Sequence, residues 1–148
     1  MIIKDVINHV RNHSYMDDIQ RDKNRVLQSQ EVFTPTHKVI ELLQEYSEDL
    51  KDPAKKFLDP SCGDGQFLGE VLISKIENGI DFETALRNIY GVDIMQDNIK
   101  LCHERLLCGR EDLRHIVEKN IVCTDALDYH YQFNGTLPLQ PDILLLEE

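Results

Sequence analysis

Residues 57–67 read FLDPSCGDGQF, and a stretch of this kind leaves a chain few ways to fold. Phe57 and Leu58 form an apolar pair that Pro60 interrupts, because proline cannot donate into a sheet ladder. Gly63 and Gly65 follow at once, and both can take backbone angles closed to other residues. Phe67, Leu68, Val71, Leu72 and Ile76 then recur at helical spacing until Gly79. The stretch predicts a buried strand, a tight polar turn and a helix in immediate succession.

The same grammar repeats along the chain. Ile3, Val6, Ile7 and Val10 predict a short amphipathic helix, and residues 14–30 are polar and of mixed charge, a linker or a marginal helix. Thr34 and Pro35 are a good N-cap and first-turn pair for a helix carrying Val39, Leu42, Leu43 and Tyr46. Asp81 caps a further short helix, NIYGVDI is a second strand, and QDNIKLCHERLLCG is a helix ended by Gly109. DLRHIVEK adds a turn of helix, and NIVCTDAL and PDILLL supply a third and a fourth strand. Strands alternating with helices imply an α/β fold with a parallel sheet, since parallel neighbours need a crossover long enough to carry a helix.

Composition narrows the class. The chain has 148 residues and 41% hydrophobic content, enough for one core. Sixteen Lys and Arg stand against 27 Asp and Glu, so the net charge of -11 repels a nucleic-acid backbone, and contact with DNA needs a basic patch or a partner chain. The apolar runs fall far short of the ~20 residues that span a bilayer, which gives the expectation of a soluble cytoplasmic protein with no membrane partner. Cys62, Cys102, Cys108 and Cys123 form no CxxC pair and, with His103 and His115, match no common zinc spacing, so no metal site is expected.

In a doubly wound sheet a ligand lies at the carboxyl ends of the strands, and the loop after the first strand comes closest to it. Gly63 and Gly65 let a ligand approach the main chain there, while the free N–H groups of the next helix point into the same space. Asp93 closes the second strand, where a carboxylate can accept hydrogen bonds from ribose hydroxyls, and Asp125 closes the third, where one can accept from an exocyclic amine. The plainer alternative is that both acids only cap the helices that follow.

Taken together, FTP, DPSCGDGQF, YGVDI and IVCTDAL resemble the ordered S-adenosylmethionine motifs of the amino-group DNA methyltransferases, specifically the N6-adenine enzymes. The resemblance spans about residues 30 to 146 and implies a Rossmann-like class I methyltransferase fold, partial at about four strands, over residues 31–148, behind a helical extension at 1–30. It implies that Thr34, aided by the N-terminus of the helix after it, holds the methionine carboxylate and that Asp59 holds the ammonium. Gly63 and Gly65, within the Pro60 and Cys62 turn, would line the cofactor's path. Asp93 would bind the ribose, and Asp125 beside Ala126 the adenine amine. Ile94 and Phe67 would cover the ring, with core packing as the plainer alternative for both.

The family's catalytic motif, Asn or Asp followed by Pro-Pro and an aromatic, occurs nowhere in these residues, and Glu147 and Glu148 follow the fourth strand. No catalytic residue is therefore expected, and DNA is expected only through a missing or partner catalytic and recognition half. Arg11, Arg21, Lys23 and Arg25 give the N-terminal region a mild basic bias, with a solvated helix face as the plainer role. The fourth strand should lie against the first with its outer edge open, a place for a homodimer or heteromer contact. Two other readings remain: a methyltransferase-like module that senses or sequesters the cofactor or docks on a methyltransferase complex, and an acidic decoy of DNA.

Overall fold

In the computed structural model, residues 2–12 and 35–146 are described. Their sheet has four parallel strands, β1 (Phe57–Asp59), β2 (Ile89–Asp93), β3 (Ile121–Cys123) and β4 (Ile143–Leu144), in the order β3-β2-β1-β4. The chain moves outward from β1 to β3 and then returns to the other side of β1. This order is compatible with a Rossmann-like fold, whose switch point falls between β1 and β4. Among the described residues six α-helices accompany the strands: α1 (Ile3–Arg11), α2 (Thr36–Leu43), α3 (Gln66–Glu77), α4 (Phe82–Arg87), α5 (Gln96–Leu107) and α6 (Arg114–Asn120). Among the described residues, no helix is long and apolar enough to cross a membrane.

The pleat divides the sheet into two unlike faces. Phe57, Ile89, Ile121 and Leu145 enter the main core with the helices, whereas Leu58, Val92, Tyr90 and Val122 point to the other side. That second face is covered by the segment after β3: Phe133 packs edge-on against Tyr90 (5.1 Å between ring centroids) and Tyr129 (5.3 Å). Tyr131, Phe133 and Asn134 all take left-handed backbone angles to bring those rings down. Nothing in the residue pattern of 127–140 foretold this aromatic cover. Leu144, on the strand that forms one edge of the sheet, and Leu146, two residues beyond it, are exposed.

Several boundaries follow local chemistry. The Asp81 side chain accepts from Thr84 N (3.0 Å), the expected N-cap, and this bond holds its carboxyl below the usual range. Gly79 and Gly109 take positive φ just past α3 and α5. The helix expected at Pro35 starts one residue later, at Thr36, because Pro35 is extended (ψ 148°) and serves as the N-cap, its carbonyl accepting from Lys38 and Val39. Helix α1 is part of the main core through Val6 and Val10. Arg11 grips Glu70 with two nitrogens (2.7 and 3.1 Å), so its charge serves an internal pair, while Arg21, Lys23 and Arg25 lie outside the described residues.

His103 on α5 joins that helix to β3, with Nε2 2.8 Å from the Ile121 carbonyl, so the neutral ring carries its proton on Nε2. Burial lowers its pKa, and the Ile121 bond opposes this only in part. An unfolded histidine titrates near pH ~6.5, so below that value the unfolded chain binds more protons than the folded one. Stability from this group is full above that pH and declines as pH falls toward the lower folded value. Urea unfolding at about pH 7.5 and 5.5 should show the loss in the native chain and a smaller one in His103→Gln, which keeps an N–H donor. Equal losses in the two proteins would remove His103 as the cause.

Candidate ligand site at the carboxyl end of the sheet

The register Asp59↔Gly91 and Asp93↔Cys123 puts the last residues of the first three strands at one end of the sheet. Three carboxylates gather at that end: Asp59 closing β1, Asp93 closing β2, and Asp125 just beyond β3. Each is set by backbone donors. Asp59 is fully buried and its Oδ1 accepts from Ser61 N (3.0 Å), which turns the chain at Pro60. Asp93 accepts from Gly63 N (3.3 Å) on Oδ1, and from Met95 N (3.0 Å) and Asn98 Nδ2 (3.2 Å) on Oδ2. Asp125 is exposed, and its Oδ1 closes a turn on Leu127 N (2.9 Å). The helix-capping role weighed for both acids is not what they do: Met95 is the N-cap of α5 and takes no side-chain cap bond, and among the described residues no helix follows Asp125, so each acid instead fixes the turn after it.

The β1–α3 loop is fastened to β2 twice, by Cys62 N to Val92 O (2.9 Å) and by the Gly63 bond to Asp93. Gly63 (φ 55°) and Gly65 (φ 92°) both take the left-handed conformation. At Gly65 the structure supplies a second reason. A Cβ there would lie 2.8 Å from Cys102 Sγ on α5, so this glycine admits a neighbouring helix. Cys62 and Cys102 are buried, and the Cys62 thiol is held well above its ordinary pKa by its bond to Cys102 and by burial, so it stays protonated.

The remaining residues singled out by sequence divide. Ile94 stands 63% exposed at the tip of β2, free to cover a ring. Phe67 is 4% exposed and belongs to the main core. Ala126 packs beside the aromatic cover, and Thr34 lies outside the described residues. Among the described residues, no three His, Cys, Asp or Glu are placed to hold a metal ion. A groove of about 310 Å³ between α2 and α3 is lined by Leu43, Leu50, Ser74 and Glu77, away from the strand-end acids.

Sequence reasoning missed a polar set behind the loop, the buried Asp64 and Arg105 with the half-buried Gln66 and Thr36. Arg105 Nη1 donates to Gln66 Oε1 (3.2 Å) and lies 3.6 Å from Asp64 Oδ1, and Gln66 Nε2 donates to Thr36 Oγ1 (2.7 Å). The available signal was position, because Arg105 falls on the same helical stripe as Cys102 and must meet whatever that stripe covers.

No protein-family model matches this chain, and neither a curated protein nor a solved structure does.

Gly65→Ala should lower stability by roughly 2–4 kcal/mol, combining an unfavourable backbone angle with overpacking. Combined with Cys102→Ala, which removes the clashing sulfur, the loss should be less than additive by about 1 kcal/mol in urea unfolding. An additive cycle would assign the glycine to its backbone angle alone.

Proposed function

We propose that this chain is the S-adenosylmethionine-binding domain of an N6-adenine DNA methyltransferase. The observation that carries the reading is the convergence of three strand-end carboxylates with a twice-fastened loop holding two left-handed glycines, beside the switch point of a parallel sheet. The motif resemblance names the ligand, and a class I methyltransferase fold is the finer form of the α/β architecture that goes with it.

The residues present fit such a ligand in type. Asp59 offers a buried carboxylate to the ligand ammonium. The Gly63 and Gly65 turn lets the ligand run along the main chain. Asp93 accepts from the ribose hydroxyls; a carboxylate has about four acceptor sites, and three are already used, so a two-handed grip displaces the weakest partner, Gly63 N at 3.3 Å. Asp125 accepts from the adenine amine, and exposed Ile94 covers the ring face. The bound group supplies a methyl on a positively charged sulfur, which an attacking amine can take directly. This chain's part is to hold and orient, and no residue of it is assigned to the methyl acceptor. DNA, repelled by the net charge of -11, reaches such a site through a partner half, for which the open β4 edge offers a place.

Calorimetric titration with S-adenosylmethionine and S-adenosylhomocysteine tests the reading. Both should bind, Asp93→Ala should abolish binding, and Ile94→Ser, which alters only an exposed side chain, should weaken it about tenfold without changing thermal stability. Absence of binding by the native chain would overturn the reading.

A further inference from the structure

Two helix N-termini meet beside the candidate loop, and the polar set behind them has no part in the assignment above. The first residue of α2, Thr36, and the first of α3, Gln66, are joined side chain to side chain at 2.7 Å. Neither helix carries an acid in its own first turn, and the positive ends of both dipoles converge there. Gln66 also accepts from Arg105, whose guanidinium reaches Asp64 within the loop, and Arg105 is 1% exposed and Asp64 6%. The arginine stem runs directly under the loop: Cβ atoms built on Gly65 and Gly69 would lie 3.5 and 3.2 Å from its Cδ.

We infer that Arg105 is a positioning residue, a buried brace that ties the β1–α3 loop to the N-terminus of α2 and so shapes the subsite for the carboxylate at the amino-acid end of the ligand. The inference rests on the S-adenosylmethionine reading for the ligand's identity. The chemistry of the subsite comes from the two converging helix ends, which favour an anion, set beside Asp59, which favours a cation. An α-amino acid carries both charges. Arg105 serves where lysine does not, because Nη1 faces both Gln66 and Asp64 with two N–H groups fixed in the guanidinium plane, an orientation that an ammonium on a flexible stem does not keep.

The test compares S-adenosylhomocysteine with 5′-methylthioadenosine, which has the adenosine but lacks the amino-acid end. In Arg105→Lys the affinity for S-adenosylhomocysteine should fall about tenfold or more, while that for 5′-methylthioadenosine changes less than about threefold. Equal loss for both ligands would make Arg105 a general support of the fold and overturn the assignment, as would no loss for either. The paired variant Arg105→Met/Asp64→Asn, which removes both charges and leaves no buried ion alone, should show the same selectivity if Arg105→Lys folds poorly. Amide hydrogen exchange on the ligand-free protein separates the brace from the ligand. Arg105→Lys should speed exchange at both 63–66 and 36–39, and a change confined to one segment would overturn the brace. If the native chain binds neither ligand while both segments loosen together, the cofactor reading falls and the brace stands.

Discussion

Helix α3 lies closer to its neighbours than side chains at the contact points would allow, and the arrangement of the site depends on that closeness. A Cβ on Gly91 of β2 would lie 2.8 Å from Leu68 Cδ1 and 3.0 Å from Cys62 Sγ, so the helix and the loop before it seat directly on the strand. A Cβ on Gly69 would lie 2.7 Å from Val10 Cγ1, so α1 seats directly on α3. A glycine inside a helix costs about 1 kcal/mol relative to alanine, which makes Gly69 a choice for packing over local helix stability. With α1, α5 and β2 all drawn in, Arg11 reaches Glu70 and Arg105 slides beneath the loop.

Electrostatics completes what packing begins. In a chain with far more acids than bases, the acids that enter the interior each meet a cation or backbone donors: Glu70 meets Arg11, Asp64 meets Arg105, and Asp59 meets Ser61 N. A buried charge left alone would cost several kcal/mol, so these pairings are conditions of the fold more than gains in stability. They produce a polarised end of the sheet, with carboxylates on the strand tips and the positive ends of α2 and α3 beside them. Under the reading proposed above, that polarity would face a ligand carrying charges of both signs.

The two faces of the sheet are finished differently. Helices fill one side, whereas the other is closed by Tyr129, Tyr131 and Phe133, from a segment with left-handed residues, packed on Tyr90 of β2. Parallel sheets ordinarily have both faces covered, because their backbone and side chains suit a dry environment. The aromatic segment meets that need over β1 and β2 and leaves Leu144 and Leu146 open at β4.

The chain's local order was legible in its residues wherever one residue type has one physical use. Asp81 capped a helix, Gly79 and Gly109 ended two, and the strands ending at Asp59 and Asp93 lie where the apolar runs and Pro60 placed them. Pro35 misled by one position because proline favours the first helical position, whereas here its ψ of 148° keeps it extended as the cap. The sequence by itself determined the alternation of strands and helices, the glycine turn and the acids at the strand ends, because periodicity and backbone restrictions act over a few residues. Only the tertiary structure decided that Arg105 and Lys75 are buried, that Phe67 faces the core, and that a tyrosine-rich loop closes the second face. Lys75, for example, is satisfied by the Lys55 carbonyl (3.0 Å) and the Phe57 ring (5.0 Å). Such partners lie far apart along the chain, and the fate of a charge depends on which distant groups the fold brings to it.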